Sequence, residues 1–101
     1  MTCEQSVPLK HSTGTGFVIP LGNVNLVGVV ARNGMVGCGA IDVAALDKFG
    51  YAAARVRPTC GPSVTGIDDL MVAEVKEANE GARRLGIREG MTGKEALDLL
   101  S

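Results

Sequence analysis

The densest apolar stretch of the chain runs Asn25–Leu46, NLVGVVARNGMVGCGAIDVAAL, with almost no charge on its two arms. Leu26–Ala31 is nearly continuously apolar, the pattern of a central strand covered on both faces. Met35–Ile41 alternates instead, with Val36, Cys38 and Ala40 on one face and Met35, Gly37, Gly39 and Ile41 on the other. Between the arms, Asn33-Gly34 predicts a type I′ hairpin turn, whose two central residues need positive φ. Glycine weakens a strand, so two on one face predict close approach of a helix, a partner subunit or a ligand. Asp42 is placed to cap a helix over Val43–Phe49, and Gly50 to end it.

The flanking segments are less regular. Met1–Ser12 is polar apart from Val7-Pro8-Leu9 and reads as a short edge strand or a partly ordered lead-in. Gly14-Thr15-Gly16 precedes Phe17-Val18-Ile19, which predicts a turn and then a strand ending at Pro20. It is not a phosphate loop, since no Gly-Lys-Ser/Thr follows and no helix opens behind it. Tyr51–Arg57 alternates, with Ala52, Ala54 and Val56 inward and Tyr51, Ala53, Arg55 and Arg57 on the opposite face. Pro58–Val64 is a loop.

Ile67, Leu70, Met71, Val75, Ala78, Ala82 and Leu85 then recur at steps of three and four. That spacing predicts one long helix, from a Thr65-Gly-Ile-Asp68 capping box to Gly86. Thr92 and Glu95 form a second capping box before a short C-terminal helix carrying Ala96, Leu97, Leu99 and Leu100. Strands first and helices after predict an α+β fold. We expect two layers, a mostly antiparallel sheet of about four or five strands with helices packed on one face. The direction of the strand over residues 51–57 stays open, and residues 1–101 read as one domain.

Composition narrows the function classes. Apolar residues make up 46% but aromatics only 3%, so aliphatic side chains must fill the core. A net charge of −1 gives no electrostatic case for nucleic acid or an anionic membrane as partner. No apolar run reaches the roughly 18 residues of a membrane span, and the N-terminus shows no secretory h-region. Three widely spaced cysteines, Cys3, Cys38 and Cys60, argue against a disulfide framework and for a reducing cytoplasm. With His11 the single histidine, no structural zinc site is expected. No motif identifies a cofactor.

Three constellations could carry chemistry. Cys38 lies four residues before the Asp42 helix start, with Arg55 or Arg57 on a neighbouring strand, a setting that favours the thiolate. A nucleophilic Cys38 with Asp42 or His11 as acid–base partner is one reading; a buried, inert Cys38 beside a plain N-cap is the simpler one. Arg55 and Arg57, with Gly37, Gly39 and the helix start at Thr65, could hold a small anionic ligand. Ion pairs with Asp42, Asp47 or Asp68 would account for the same arginines. The third candidate is self-association, a dimer first, through the glycine face and the apolar Leu26–Ala31 arm.

Cys38-Gly39-Ala40-Ile41-Asp42-Val43 also resembles the YunC-like family, small bacterial and archaeal proteins classed as a domain of unknown function. The resemblance continues at Arg55, at Thr65-Gly-Ile-Asp-Asp-Leu70, at Ala82-Arg-Arg-Leu-Gly-Ile87 and at Gly90-Met-Thr-Gly-Lys-Glu-Ala-Leu97, so it spans Asn25–Leu100. It implies a two-layer α+β domain resident in the cytoplasm, and no particular activity. The Pro58–Val64 loop, which contains Cys60, is longer than the family pattern. The leading expectation is an oligomeric cytoplasmic protein that binds a small molecule, anionic if the arginines engage it, near Cys38, Asp42 and Arg55. A cysteine-dependent enzyme acting on a small acidic metabolite and a purely structural or interaction subunit are the alternatives.

Overall fold

The computed structural model describes residues 3–58 and 64–101. Cys60 and most of the Pro58–Val64 loop lie outside the described residues. Four strands come first: β1 (Cys3–Pro8), β2 (Thr13–Pro20), β3 (Asn25–Val30) and β4 (Gly34–Gly37), paired in sequence as an antiparallel meander. The chain then crosses through α1 (Val43–Asp47) to β5 (Ala52–Arg57), which lies parallel to β4. A parallel neighbour cannot be reached by a hairpin, so the Cys38–Tyr51 connection has to pass over one sheet face. After β5 come α2 (Ile67–Val72), β6 (Glu74–Ala78), α3 (Glu80–Arg84) and α4 (Gly93–Leu100). β6 joins β5 antiparallel, giving a sheet in the order β1-β2-β3-β4-β5-β6. The fold is α+β with a mostly antiparallel sheet, as expected.

Period-two alternation sorts the side chains into two unequal cores. Val27, Val29, Val36, Ala54 and Val56 face the larger one, where α2, α3 and α4 supply Leu70, Ala82, Leu97 and Leu100, all fully buried. Met35 and Ala53 face the other side, covered by Val43 and Leu46 of α1 with Phe17, Ile41 and Tyr51 around them. Helices therefore occupy both faces, not one, and the sheet has six strands rather than four or five. The β4-to-β5 crossover is the reason for the first difference, and β6 for the second.

β6 interrupts the helix expected from Thr65 to Leu85. Its register against β5 shifts between Arg55 and Val56, so Glu77 faces Arg55 and Val75 faces Val56, with Lys76 left over as a bulge residue. A bulge sets successive inward side chains three apart. Val75 and Ala78 are both buried for that reason, and their spacing copies a helical step. The open edge of β5 supplies ladder hydrogen bonds that outweigh the helix propensity of EVKEA, favourable at every residue but Val75. The expected cap also moves: Gly66 is the N-cap of α2, and the Thr65 hydroxyl donates to Asp69 Oδ2 at 2.6 Å instead. At α4 the Thr92–Glu95 capping box forms as read.

Asn33-Gly34 makes no type I′ turn. The turn is centred on Arg32-Asn33, closed by Ala31 N–H donating to Gly34 O at 2.7 Å, and neither Asn33 nor Gly34 has positive φ. Gly34 is required for a different reason: a Cβ there would drive into the Ala52 carbonyl of the parallel neighbour.

Candidate functional site

The carboxyl ends of parallel β4 and β5 lie beside the start of β3 and the end of β2. At this edge the β2–β3 turn folds on itself, with Leu21 N–H donating to Val24 O at 2.8 Å and Gly22 at φ 102°. Asn25 Nδ2 donates to Thr65 O at 2.9 Å and so ties the entry to α2 against the start of β3. Between these pieces opens a pocket of about 310 Å³ whose walls include Leu21, Val24, Val56 and Val64, with Cys38 and Arg57 among its lining residues. Crevices outside the carboxyl ends of parallel strands are the usual ligand sites of sheets with crossovers, because the connecting segments diverge there.

Cys38 ends β4. Its N–H donates to Val27 O at 2.9 Å, and its sulfur receives the Val27 N–H at 3.5 Å. The side chain packs in the larger core beside Val36 and is 6% exposed. Gly39 and Ala40 turn outward, and a Cβ on Gly39 would meet open space. At Gly37 the close approach expected of the glycine face does occur, but the approaching group is the chain's own Ile41.

The other sequence-derived candidates are distributed over the molecule. Asp42 is exposed and accepts from Ala45 N–H at 3.0 Å as the N-cap of α1. Arg55 points to the α1 side of the sheet, where its Nε pairs with Glu77 Oε1 at 2.6 Å. Arg57 sits 4.0 Å from Glu74 with both side chains about half exposed, and it lines the pocket. These partners are cross-strand glutamates from β6, not Asp42, Asp47 or Asp68. The Thr65 N–H and hydroxyl both go to Asp69, and the hydroxyl bond, with the backbone bonds behind it, holds that carboxyl below the usual aspartate range. His11 stands beyond the start of β2, so the length of an eight-residue strand, about 25 Å, separates it from Leu21 and the pocket. It lines a second hollow with Lys10, Met91, Glu95 and Asp98.

The pocket thus gathers Cys38, Gly39 and Arg57 and leaves Gly37, Asp42, Arg55 and Thr65 outside its lining. Asn25 and the two turn residues Leu21 and Val24 escaped the sequence reading. Leu21 and Val24 are 55% and 48% exposed. Two large apolar side chains in a Gly-Asn turn were the available signal, since a turn that only reverses the chain has no use for them. Among the described residues, no three His, Cys, Asp or Glu side chains are grouped so as to hold a metal ion. Nor is any described helix long and apolar enough to cross a membrane.

Residues 37–100 match the model of the domain of unknown function DUF1805, so the match begins at β4 and takes in the whole crossover, β5, β6 and the last three helices. The chain belongs to the DUF1805 family. Its similarity to the uncharacterized protein YunC of Bacillus subtilis (strain 168) is 34% identity over 87 residues, covering 82% of this chain and 81% of that one. The DUF1805 chain also resembles a protein of unknown function from Thermoplasma acidophilum, known from a crystal structure, at a TM-score of 0.85 and 27% identity. That alignment covers all of this chain (100%) and 94% of the other, so the shared fold extends to β1–β3 ahead of the family match.

Proposed function

We propose that this DUF1805 chain binds a small molecule in the pocket between Cys38 and Arg57. The observation behind this reading is the pocket itself, at the carboxyl ends of the parallel strand pair. Its 310 Å³ is at the lower end of the roughly 300–1,000 Å³ range of small-molecule sites. Binding is favoured over cysteine-dependent catalysis. Among the described lining residues no carboxylate, imidazole or amine stands beside Cys38 to take a proton, while Asp42 is committed to its helix. The buried free thiol of Cys38 supports a reducing, cytoplasmic setting. The test is a native mass spectrum of the purified protein, followed by ligand-observed NMR with a fragment library on the wild type and Gly39→Leu. Gly39 lines the pocket and has room for a side chain and no positive φ, so leucine adds bulk at the pocket without backbone strain. Hits lost in Gly39→Leu support the reading; hits that survive it, or none at all, refute it.

Self-association, with a dimer first, is a second reading. Phe49 at the end of α1 is 84% exposed, and Val30, on the sheet face that α1 covers only in part, is 40% exposed. Sedimentation at micromolar concentration checks it, and a monomer alone would remove it.

A further inference from the structure

Resting on the pocket reading above, we propose that the ligand is a monocarboxylate with a compact apolar body, its carboxylate held by Arg57. The argument starts from charge. Among the described lining residues Arg57 is the one charged group, in a pocket whose apolar walls include Leu21, Val24, Val56, Pro58 and Val64. One cation and no second one match a single negative charge. A nucleotide or a di- or triphosphate would bring charge that no described lining residue balances.

Polar side chains among the described lining residues are equally few. Asn25 commits one of its two amide N–H donors to Thr65 O, and the Cys38 sulfur already receives the Val27 N–H. A sugar or polyol would find few side-chain partners for its several hydroxyls among the described lining residues, whereas an aliphatic or aromatic body needs none. Its apolar surface would cover Leu21 and Val24, which are otherwise exposed to water.

The two arginines of β5 differ in how free they are. Arg55 is held by Glu77 at 2.6 Å and stands outside the pocket lining. Arg57 has only Glu74 at 4.0 Å, with side-chain exposures of 60% and 45%, a pairing that solvent and salt screen to little. Its guanidinium can present two parallel N–H donors to an incoming carboxylate, the geometry that distinguishes an acid from its amide.

The test is a ¹H–¹⁵N NMR titration of the whole chain with butanoate through octanoate, branched 4-methylpentanoate and benzoate, each paired with its primary amide. Disodium succinate, inorganic phosphate and glucose serve as contrasts. Acids are expected to shift the Gly39, Ala40 and Val64 amides and to bind about tenfold or more tightly than their amides. Arg57→Gln, at an exposed position, should bring acid and amide to within about twofold of each other, whereas Arg55→Gln should leave the preference in place. Equal binding of acid and amide, or a preference that survives Arg57→Gln, overturns the carboxylate assignment and leaves the pocket reading standing. So does binding of phosphate, succinate or glucose in the pocket without the monocarboxylates. If no probe shifts these amides in the wild type, or if Gly39→Leu shifts them equally, the pocket reading falls and this assignment with it.

Discussion

Asn79 Oδ1 accepts the Ala53 N–H at 3.1 Å and, with its other lone pair, the Ala82 N–H at 3.0 Å. One side chain thus completes β5 at the point where β6 ends and caps α3. Its Nδ2 donates to Val43 O at 3.0 Å and Tyr51 O at 2.8 Å, which ties α1 on one sheet face to α3 on the other. Asn79 is 7% exposed, so water cannot replace any of these bonds. Asn79→Asp keeps the shape but sets a carboxylate against two carbonyl oxygens. It is expected to cost about 3 kcal/mol or more, read as a lower urea midpoint at unchanged m-value. A loss below about 1 kcal/mol would mean that the crossover is held by packing alone.

Gly34 and Gly39 make a paired test of close approach. A methyl group at Gly34 meets the Ala52 carbonyl, while at Gly39 it meets nothing. Gly34→Ala is expected to destabilise by about 2 kcal/mol or more, since backbone on the parallel neighbour must shift. Gly39→Ala should stay within about 0.5 kcal/mol of wild type. Thermal unfolding of the two variants side by side decides it; similar losses in both would contradict the role given to Gly34.

The segment from Ile67 to Arg84 can be checked residue by residue. ¹³Cα secondary shifts should be positive over α2, negative over β6 and positive again over α3. The Val75 N–H, bonded to Met91 O at 2.7 Å, should exchange slowly. Uniformly positive shifts across Ile67–Arg84 would restore the single helix that the spacing suggests.

Acid should weaken the fold through Asp98. Its carboxylate accepts from Lys94 Nζ at 2.9 Å and from the Lys10 N–H at 3.0 Å. The Lys94 hydrogen bond above all, with help from Lys10 and against some desolvation, holds its pKa below the ordinary 3.8. A group whose folded pKa is depressed adds stability above its unfolded value and loses it as pH falls through the folded one. Urea stability should therefore be flat in this term above about pH 5 and decline from about pH 4 downward. Asp98→Asn should flatten part of that decline; an unchanged acid slope would mean that other carboxylates, Asp69 and Glu89 among them, carry it.

Local chemistry was legible wherever a residue acts on its near neighbours. Asp42 caps α1, Thr92 and Glu95 form their box, and Gly50 and Gly86 adopt positive φ at 71° and 100° where helices end. Each depends on bonds spanning three or four residues, which the sequence order itself sets. Tyr51–Arg57 was read correctly as a strand with Ala52, Ala54 and Val56 inward, because alternation needs no knowledge of the partner strand. Of the candidate site, Cys38, Gly39 and Arg57 come together around one pocket. Arg55 could not be told from Arg57 in sequence. They share a strand face, and only the proximity of Glu77 or of the pocket separates them.

By itself, then, the sequence determined the α+β class, the family, the helix caps and the inward faces of most strands, all consequences of short-range bonding and periodicity. The tertiary structure alone decided three things. It made residues 74–78 a strand, because a bulge opposite β5 gives Val75 and Ala78 the spacing of a helix, and only an unpaired sheet edge breaks the tie. It made β4 and β5 parallel, which sends α1 to the second face and opens the pocket at their carboxyl ends. It also gave Gly34 its purpose, since the carbonyl it must clear belongs to Ala52, a neighbour that only the crossover brings alongside.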